Sequence, residues 1–409
     1  MNTIKTATLV GLALMATALV SCEKIFPGAP VDAEVLEGTI PGLTPYQERD
    51  HLIGDEFFGK VFTKEEGLGP VFVQTACANC HVGNGKGHPT NVFTRFAQVD
   101  LATDSIIDHL YHKGGPQLQN RSIDDYPVEE LPAEANAMSQ RMAPVVMGLG
   151  FIAALEDQTI LDLAAAQVGG VAGRPNYVYP TDFFIPEDMH QAMDGKYIGR
   201  FGKKAEKVTI QDQVVFALKQ DIGITSDFDM EDVYNHQVGL YTGDEGPDPE
   251  VSASFVNSLV FYMRTLKAPE RRNADAPEVL AGEEQFSTIG CASCHTPTLT
   301  TGPSDIESLS YKEFHPYSDF LLHDMGASLD DNFPEGSAKG NEWRTPPLWG
   351  LGLAKDSQGG EMFLLHDGSE TTFDRVITRH DGDAEDSKTA YFNLSTEEQD
   401  QLKAFLESL

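Results

Sequence analysis

Cys77-Ala78-Asn79-Cys80-His81 and Cys291-Ala292-Ser293-Cys294-His295 are the residues of this chain whose types and spacing most directly specify chemistry. Two thiols three positions apart reach the two vinyl groups on one edge of a porphyrin, and the adjacent imidazole then falls beneath the iron as its proximal ligand. Two Cys-x-x-Cys pairs could also supply a four-thiolate zinc site, and either pair could act as a redox dithiol. Neither of those uses needs a His directly after the second Cys. Each motif is therefore read as the attachment site of one covalent haem c, with iron held by His81 and His295.

The sixth ligand decides what each iron does, because an iron with two strong protein ligands passes electrons whereas one with an open face binds oxygen species. In the second half, His380 is the choice for the distal ligand, with Met325 and His366 as competitors. The comparable stretch of the first half has no His, Met or Tyr from Phe201 to Thr225, and what stands there instead is Gln213 and Asp221. A carboxylate over an open haem can shuttle a proton between the two oxygens of peroxide. Asp221 could equally cap a turn before Gly223. If the first iron is closed instead, His88, Met142 and Met147 are its candidate ligands.

The elements that must position these groups are helical. A stretch carrying Phe57, Phe58, Val61 and Phe62 leads to the first motif, and Val251–Leu266 places Phe255, Val256, Leu259, Val260 and Met263 at helical spacing. Phe286 lies on a helix leading into Cys291. Ser395 with Glu398 forms a capping box that opens a last helix bearing Leu402, Phe405, Leu406 and Leu409. These patterns predict a mainly α fold of two cytochrome c-like domains, residues 46–268 and 278–409, the first enlarged by an insertion over 151–250. An internal echo supports the duplication: Arg141-Met142-Ala143-Pro144 before Gly148-Leu149-Gly150 recurs as Arg344-Thr345-Pro346-Pro347 before Gly350-Leu351-Gly352. A turn packed on each haem, with its Arg near a propionate, would explain it.

Composition bounds the partners. The 409 residues carry 29 Lys+Arg against 63 Asp+Glu, a net charge of −34. Such a surface disfavours nucleic acid and anionic lipid headgroups and suits a basic electron donor. The fifth cysteine, Cys22, ends Leu19-Val20-Ser21-Cys22 behind Lys5 and an apolar run from Ala7 to Val20 that is short for a bilayer span. Residues 1–21 read as a signal peptide. Leu-Val-Ser-Cys resembles the lipobox of bacterial lipoproteins, which implies lipid attachment at Cys22, a tether over 22–45, and export to a membrane face on the periplasmic side or cell surface.

The ordered set of motifs resembles the di-haem oxidoreductase family, also called thiol oxidoreductases, within the bacterial di-haem cytochrome c peroxidase superfamily. The resemblance spans roughly residues 46–409. It rests on both Cys-x-x-Cys-His motifs, Arg141 through Gly150, Gly199-Arg200-Phe201-Gly202, Arg344-Thr345-Pro346-Pro347-Leu348, His366-Asp367-Gly368 and His380-Asp381-Gly382. It implies an electron-transfer haem in the C-terminal half and a peroxide-binding haem in the N-terminal half. The distal ligand of the former, usually Met, stands at the spacing His380 has from His366. Phe201 takes the position of the tryptophan that lies between the haems in the peroxidases, and Asp221 is the nearest acid to their distal Glu. Met142 stands where the superfamily's calcium site uses Asn, so calcium enters only as a further cofactor raised by the resemblance. The implied activity is reduction of hydrogen peroxide or a similar small oxidant, with electrons from a donor protein or a quinol pathway. A purely electron-carrying cytochrome and a di-haem oxidase of a protein or organic substrate are the alternatives.

Overall fold

The computed structural model describes residues 35–238 and 246–409. The expected signal peptide, Cys22 and most of the tether lie outside the described residues. The helices that carry the site are α1 (Pro45–Gly59), α2 (Ile210–Ala217), α3 (Ala253–Thr265), α4 (Pro277–Thr288), α5 (Phe373–Thr378) and α6 (Thr396–Ser408). Their starts follow from local chemistry. Thr44 and Gln47 close a capping box on α1, Thr209 and Asp212 on α2, and Ser395 and Glu398 on α6, each satisfying amide N–H groups that the first helical turn leaves without partners.

Each half is framed by one helix crossing of the same construction. In the first, α1 packs on α3 with Phe57 stacked on Phe255 at 4.3 Å and Phe58 against Tyr262 at 5.4 Å. In the second, α4 packs on α6 with Phe286 against Phe405 at 5.1 Å. Gly54 and Gly282 sit at the contact points, four residues before Phe58 and Phe286. A Cβ on Gly54 would fall on the Ser258 carbonyl oxygen, and one on Gly282 on the Gln401 carbonyl oxygen, so both crossings need the missing side chain. Phe58 then lies 5.9 Å from the His81 ring and Phe286 6.1 Å from the His295 ring. The duplication read from the motifs is thus repeated in the packing behind them.

The sequence reading did not anticipate the sheet. β1 (Phe93–Asp100) pairs antiparallel with β2 (Ser105–Asp108), β3 (Gln117–Leu118) and β4 (Ala137–Arg141). On β4, Ala137, Ser139 and Arg141 are buried while Met138 and Gln140 face out, the period-two alternation of a half-buried strand. The register sets Arg95 opposite both Gln117 and Ser139, and Phe93 opposite Arg141. A two-stranded ribbon, β5 (Leu322–Asp324) with β6 (Glu342–Arg344), serves the second half. Helices and short strands therefore share the architecture.

Residues Leu36–Leu409 form one compact unit. The described parts of the 151–250 insertion include a tight hairpin at Arg200–Lys207, then α2, then a wide helical turn over Leu218–Ile222 that stops at Gly223 with φ +74°. Gly223 and Gly202 both adopt positive φ where their turns reverse. Among the described residues no helix is long and apolar enough to cross a membrane.

Replacing a helical Gly by Ala ordinarily stabilises by about 1 kcal/mol. Gly282→Ala should instead destabilise by about 1–3 kcal/mol, because the new methyl group forces α4 and α6 apart. Denaturant unfolding of the variant measures this, and a raised midpoint would show that the crossing is looser than described.

Candidate active site

A cavity of about 440 Å³ runs through the compact unit and is lined by every predicted site residue except Cys22. Both thiol pairs, His81, His295, His380, Arg141, Arg344, Phe201, Gln213 and Asp221 all reach it. Of the competitors, Met147, Met325 and His366 also line it. His88 is engaged elsewhere, its Nδ1 on Thr90 and its ring edge-on to Phe363.

Three histidines are held in the same way. His81 Nδ1 donates to the Pro144 carbonyl at 2.8 Å, His295 Nδ1 to Tyr317 O at 2.9 Å, and His380 Nδ1 to Val376 O at 2.8 Å. A carbonyl can only accept, so each Nδ1 carries the proton and each Nε2 keeps its lone pair for a metal. Burial lowers the pKa of His81 and of His295 to about 4, and lowers that of His380, so all three are neutral near pH 7. His380 depresses the charge of His295 directly, which places the two imidazoles within electrostatic reach of each other. His366 differs: its ring lies flat on Trp343 at 3.8 Å and 17°.

The first motif has another kind of neighbour. Asp221, at the end of α2's wide turn, accepts a hydrogen bond from Gln117 Nε2 at 2.6 Å, while its backbone oxygen accepts from Val73 and Gln74 N–H. Burial raises its pKa to about 6, opposed by the Gln117 bond and by Arg95. The Cys77 and Cys80 thiols are raised to about 12 by burial and then by Asp221, which places the carboxylate near the first motif. Gln213 lines the same wall from α2. Sequence reasoning missed Gln117 and Arg95, which the sheet register brings together; the alternation along β4 was the signal available.

The residues suit two covalent haems. The thiols would attach them and the Nε2 atoms would hold their irons, and the wall also carries buried cations. Lys86 and Lys203 have no hydrogen bond or ion pair through their ammonium groups among the described residues. Burial and mutual repulsion hold Lys203 well below an ordinary lysine, and burial brings Lys86 to about 8. Arg344 donates only to the Gly202 and Thr345 carbonyls, and burial brings it to about 10. Haem propionates would answer these charges. Arg141 also lines the cavity and is paired with Glu335 at 2.6 Å and Glu206 at 3.4 Å, because the sheet turns it toward a buried carboxylate cluster. Met142 is fully buried against Gly368 and Gln358. Phe201 reaches the cavity, but so do both tryptophans, Trp343 and Trp349, from the second half.

A family model described as "Di-haem oxidoreductase, putative peroxidase" matches residues 124–409, beginning after the first Cys-x-x-Cys-His motif. No curated protein matches the chain in sequence. Among solved structures, the chain is similar to Kuenenia stuttgartiensis hydrazine synthase pressurised with xenon, at 14% identity over 94% of this chain and 97% of that one, with a TM-score of 0.35. It is also similar to a MauG-like protein associated with microbial copper homeostasis, at 15% identity over 93% of this chain and 94% of that one, with a TM-score of 0.35.

Because the folded-state pKa of Asp221 is raised, its contribution to stability is complete at low pH and is lost as pH rises through about 6. Asp221→Asn should accordingly gain about 2–3 kcal/mol over the wild type at pH 8 and little at pH 4. Urea unfolding at the two pH values tests this, and equal effects at both would show that the carboxyl is not held neutral by burial.

Proposed function

The chain belongs to the di-haem oxidoreductase family, and from that premise we propose that it is a peroxidase in which the second haem site receives electrons and the first reduces hydrogen peroxide. The observation that carries this reading is the asymmetry of the two sites: His295 shares its part of the cavity with a second aimed imidazole, His380, whereas the residues near the first motif include Asp221 and Gln117. When bound, the haems supply the redox chemistry, taking two electrons from a donor and delivering them to the O–O bond.

The chain's own residues do the rest. His295 and His380 would close the second iron to ligands and fit it for electron transfer. Two His ligands rather than His and Met favour a low potential, which restricts the donors able to reduce it. Asp221, as carboxylate, would take the proton from one oxygen of peroxide and return it to the other. Gln117 holds that carboxylate in place by donating to Oδ1, leaving Oδ2 for the transfer. With two electrons and two further protons, both oxygens leave as water. Gln213 is a further amide on this wall, beside Gln74 and Gln117. The acidic surface suits a basic donor protein.

Met147 on the cavity wall favours the alternative of an electron carrier with both irons closed. Electron paramagnetic resonance of the ferric protein, before and after one-electron reduction, separates the two. One high-spin signal consumed by peroxide is expected, and two low-spin irons indifferent to peroxide would leave only the carrier. For Asp221→Asn we expect kcat/KM for peroxide to fall about 10²–10⁴-fold. The wild-type loss of activity below pH about 6 should also disappear in the variant. Unchanged turnover would remove Asp221 from the mechanism.

Export and lipid attachment at Cys22 complete the proposal and rest on the sequence of residues 1–22 alone. Cys22→Ala should move the protein from the membrane to the soluble periplasmic fraction, and continued membrane association would argue against the lipid.

A further inference from the structure

Lys204 is a fully enclosed charge that the proposed chemistry does not use. Its side chain has no solvent exposure, and its ammonium lies among four oxygens: Asp331 Oδ1 at 2.8 Å, Phe333 O at 3.0 Å, Lys339 O at 2.8 Å and Gly340 O at 2.7 Å. Three of the four are backbone carbonyls. All four come from one loop, whereas Lys204 itself belongs to the hairpin that lines the cavity with Phe201 and Lys203. An ammonium has three protons to give, so one of the four contacts is shared. The arrangement is that of an ion in a cage of oxygens rather than of a simple ion pair.

We propose that this loop is a monovalent-cation site whose resident cation is the Lys204 ammonium, tethered to the opposite half of the chain. The distances and ligand number argue for a monovalent ion. Calcium takes six to eight oxygens at about 2.3–2.6 Å, whereas rings of backbone carbonyls replace the hydration shell of larger monovalent cations. The tether gives the site its purpose. Immediately after the cage the chain enters β6, where the Trp343 ring lies 4.4 Å from the same ammonium and stacks on His366. Trp343 also donates Nε1–H to Leu329 O, closing the loop from the other side. Lys204 is therefore a positioning residue: by filling the cage it fixes the Trp343 and His366 wall of the cavity without depending on a dissolved ion.

The test uses the full chain and a change that leaves the oxygens but removes the ammonium. Lys204→Ala should unfold at least about 5 °C lower than wild type in tetramethylammonium chloride, whose ion is too large to enter the cage. At equal ionic strength, potassium or ammonium chloride should recover most of that loss, while the wild type responds to none of these salts. Lys204→Met, which fills the space without charge, should show no such recovery. Overturning outcomes are a Lys204→Ala protein equally unstable or insoluble in all the salts, or one recovered by calcium and not by potassium. Recovery of Lys204→Met by potassium would also overturn the proposal, since the salt would then be acting elsewhere.

Discussion

The hydrogen bond from an imidazole Nδ1–H to a backbone carbonyl is the constraint on which the rest of this structure turns. A buried histidine can ligate a metal only if it is neutral, carries its proton on the far nitrogen and cannot swing away. Pro144, Tyr317 and Val376 supply the three carbonyls, and each lies in a segment whose path is fixed by something else. Pro144 follows β4 and the buried Met142, whose N–H is bound to His366 O from the other half. Tyr317 is buried against Phe286 and Phe405, so the α4–α6 crossing determines where its carbonyl points. Val376 lies on α5, four residues before His380, which follows the helix end.

A second constraint is electrostatic and runs against the overall composition. The chain carries a net charge of −34, yet the cavity wall collects Lys86, Lys203 and Arg344, none of which makes an ion pair among the described residues. Such crowding costs free energy in the empty fold and is relieved only by an anion of matching geometry. Arg200 pairs with Asp157 inside the first half, but three buried ion pairs cross between the halves: Arg95 and Arg141 with Glu335, and Lys204 with Asp331. The cations come from the first half and the carboxylates from the second, so separating the halves would strand both. This arrangement ties the two halves into the one compact unit by charge as well as by apolar contact.

What the sequence disclosed and what it withheld divide along a physical line. Groups whose chemistry depends on close spacing along the chain were legible: the two Cys-x-x-Cys-His motifs, the Ser395 and Glu398 capping box, and the periodic faces of α3 and α6. Asp221 was reached by a different route, the lack of His, Met or Tyr in a stretch where the other half has His380. The sheet was not legible, because β1 lies among Thr, Arg and Gln residues whose burial is decided by partners over forty residues away in sequence. Gln117 was missed for the same reason, as its role exists only through the register that sets it beside Asp221. The pairing of Arg141 with Glu335 was hidden for a related cause, since that carboxylate comes from a loop whose position no local pattern announces.

The two glycine crossings carry one more implication, for how such a chain tolerates growth. α1 and α3 are joined by a segment nearly twice as long as that between α4 and α6, yet loop-closure entropy grows only with the logarithm of length. The longer connection therefore costs the first half only about 0.5 kcal/mol more than the second. Because both crossings are closed by the same contact, a hundred residues could be added between α1 and α3 without disturbing the frame behind His81. That added stretch is the one that furnishes Phe201, Lys203, Lys204, Gln213 and Asp221. The glycine contact thus fixes the part of the domain that cannot vary and leaves the intervening chain free to acquire chemistry.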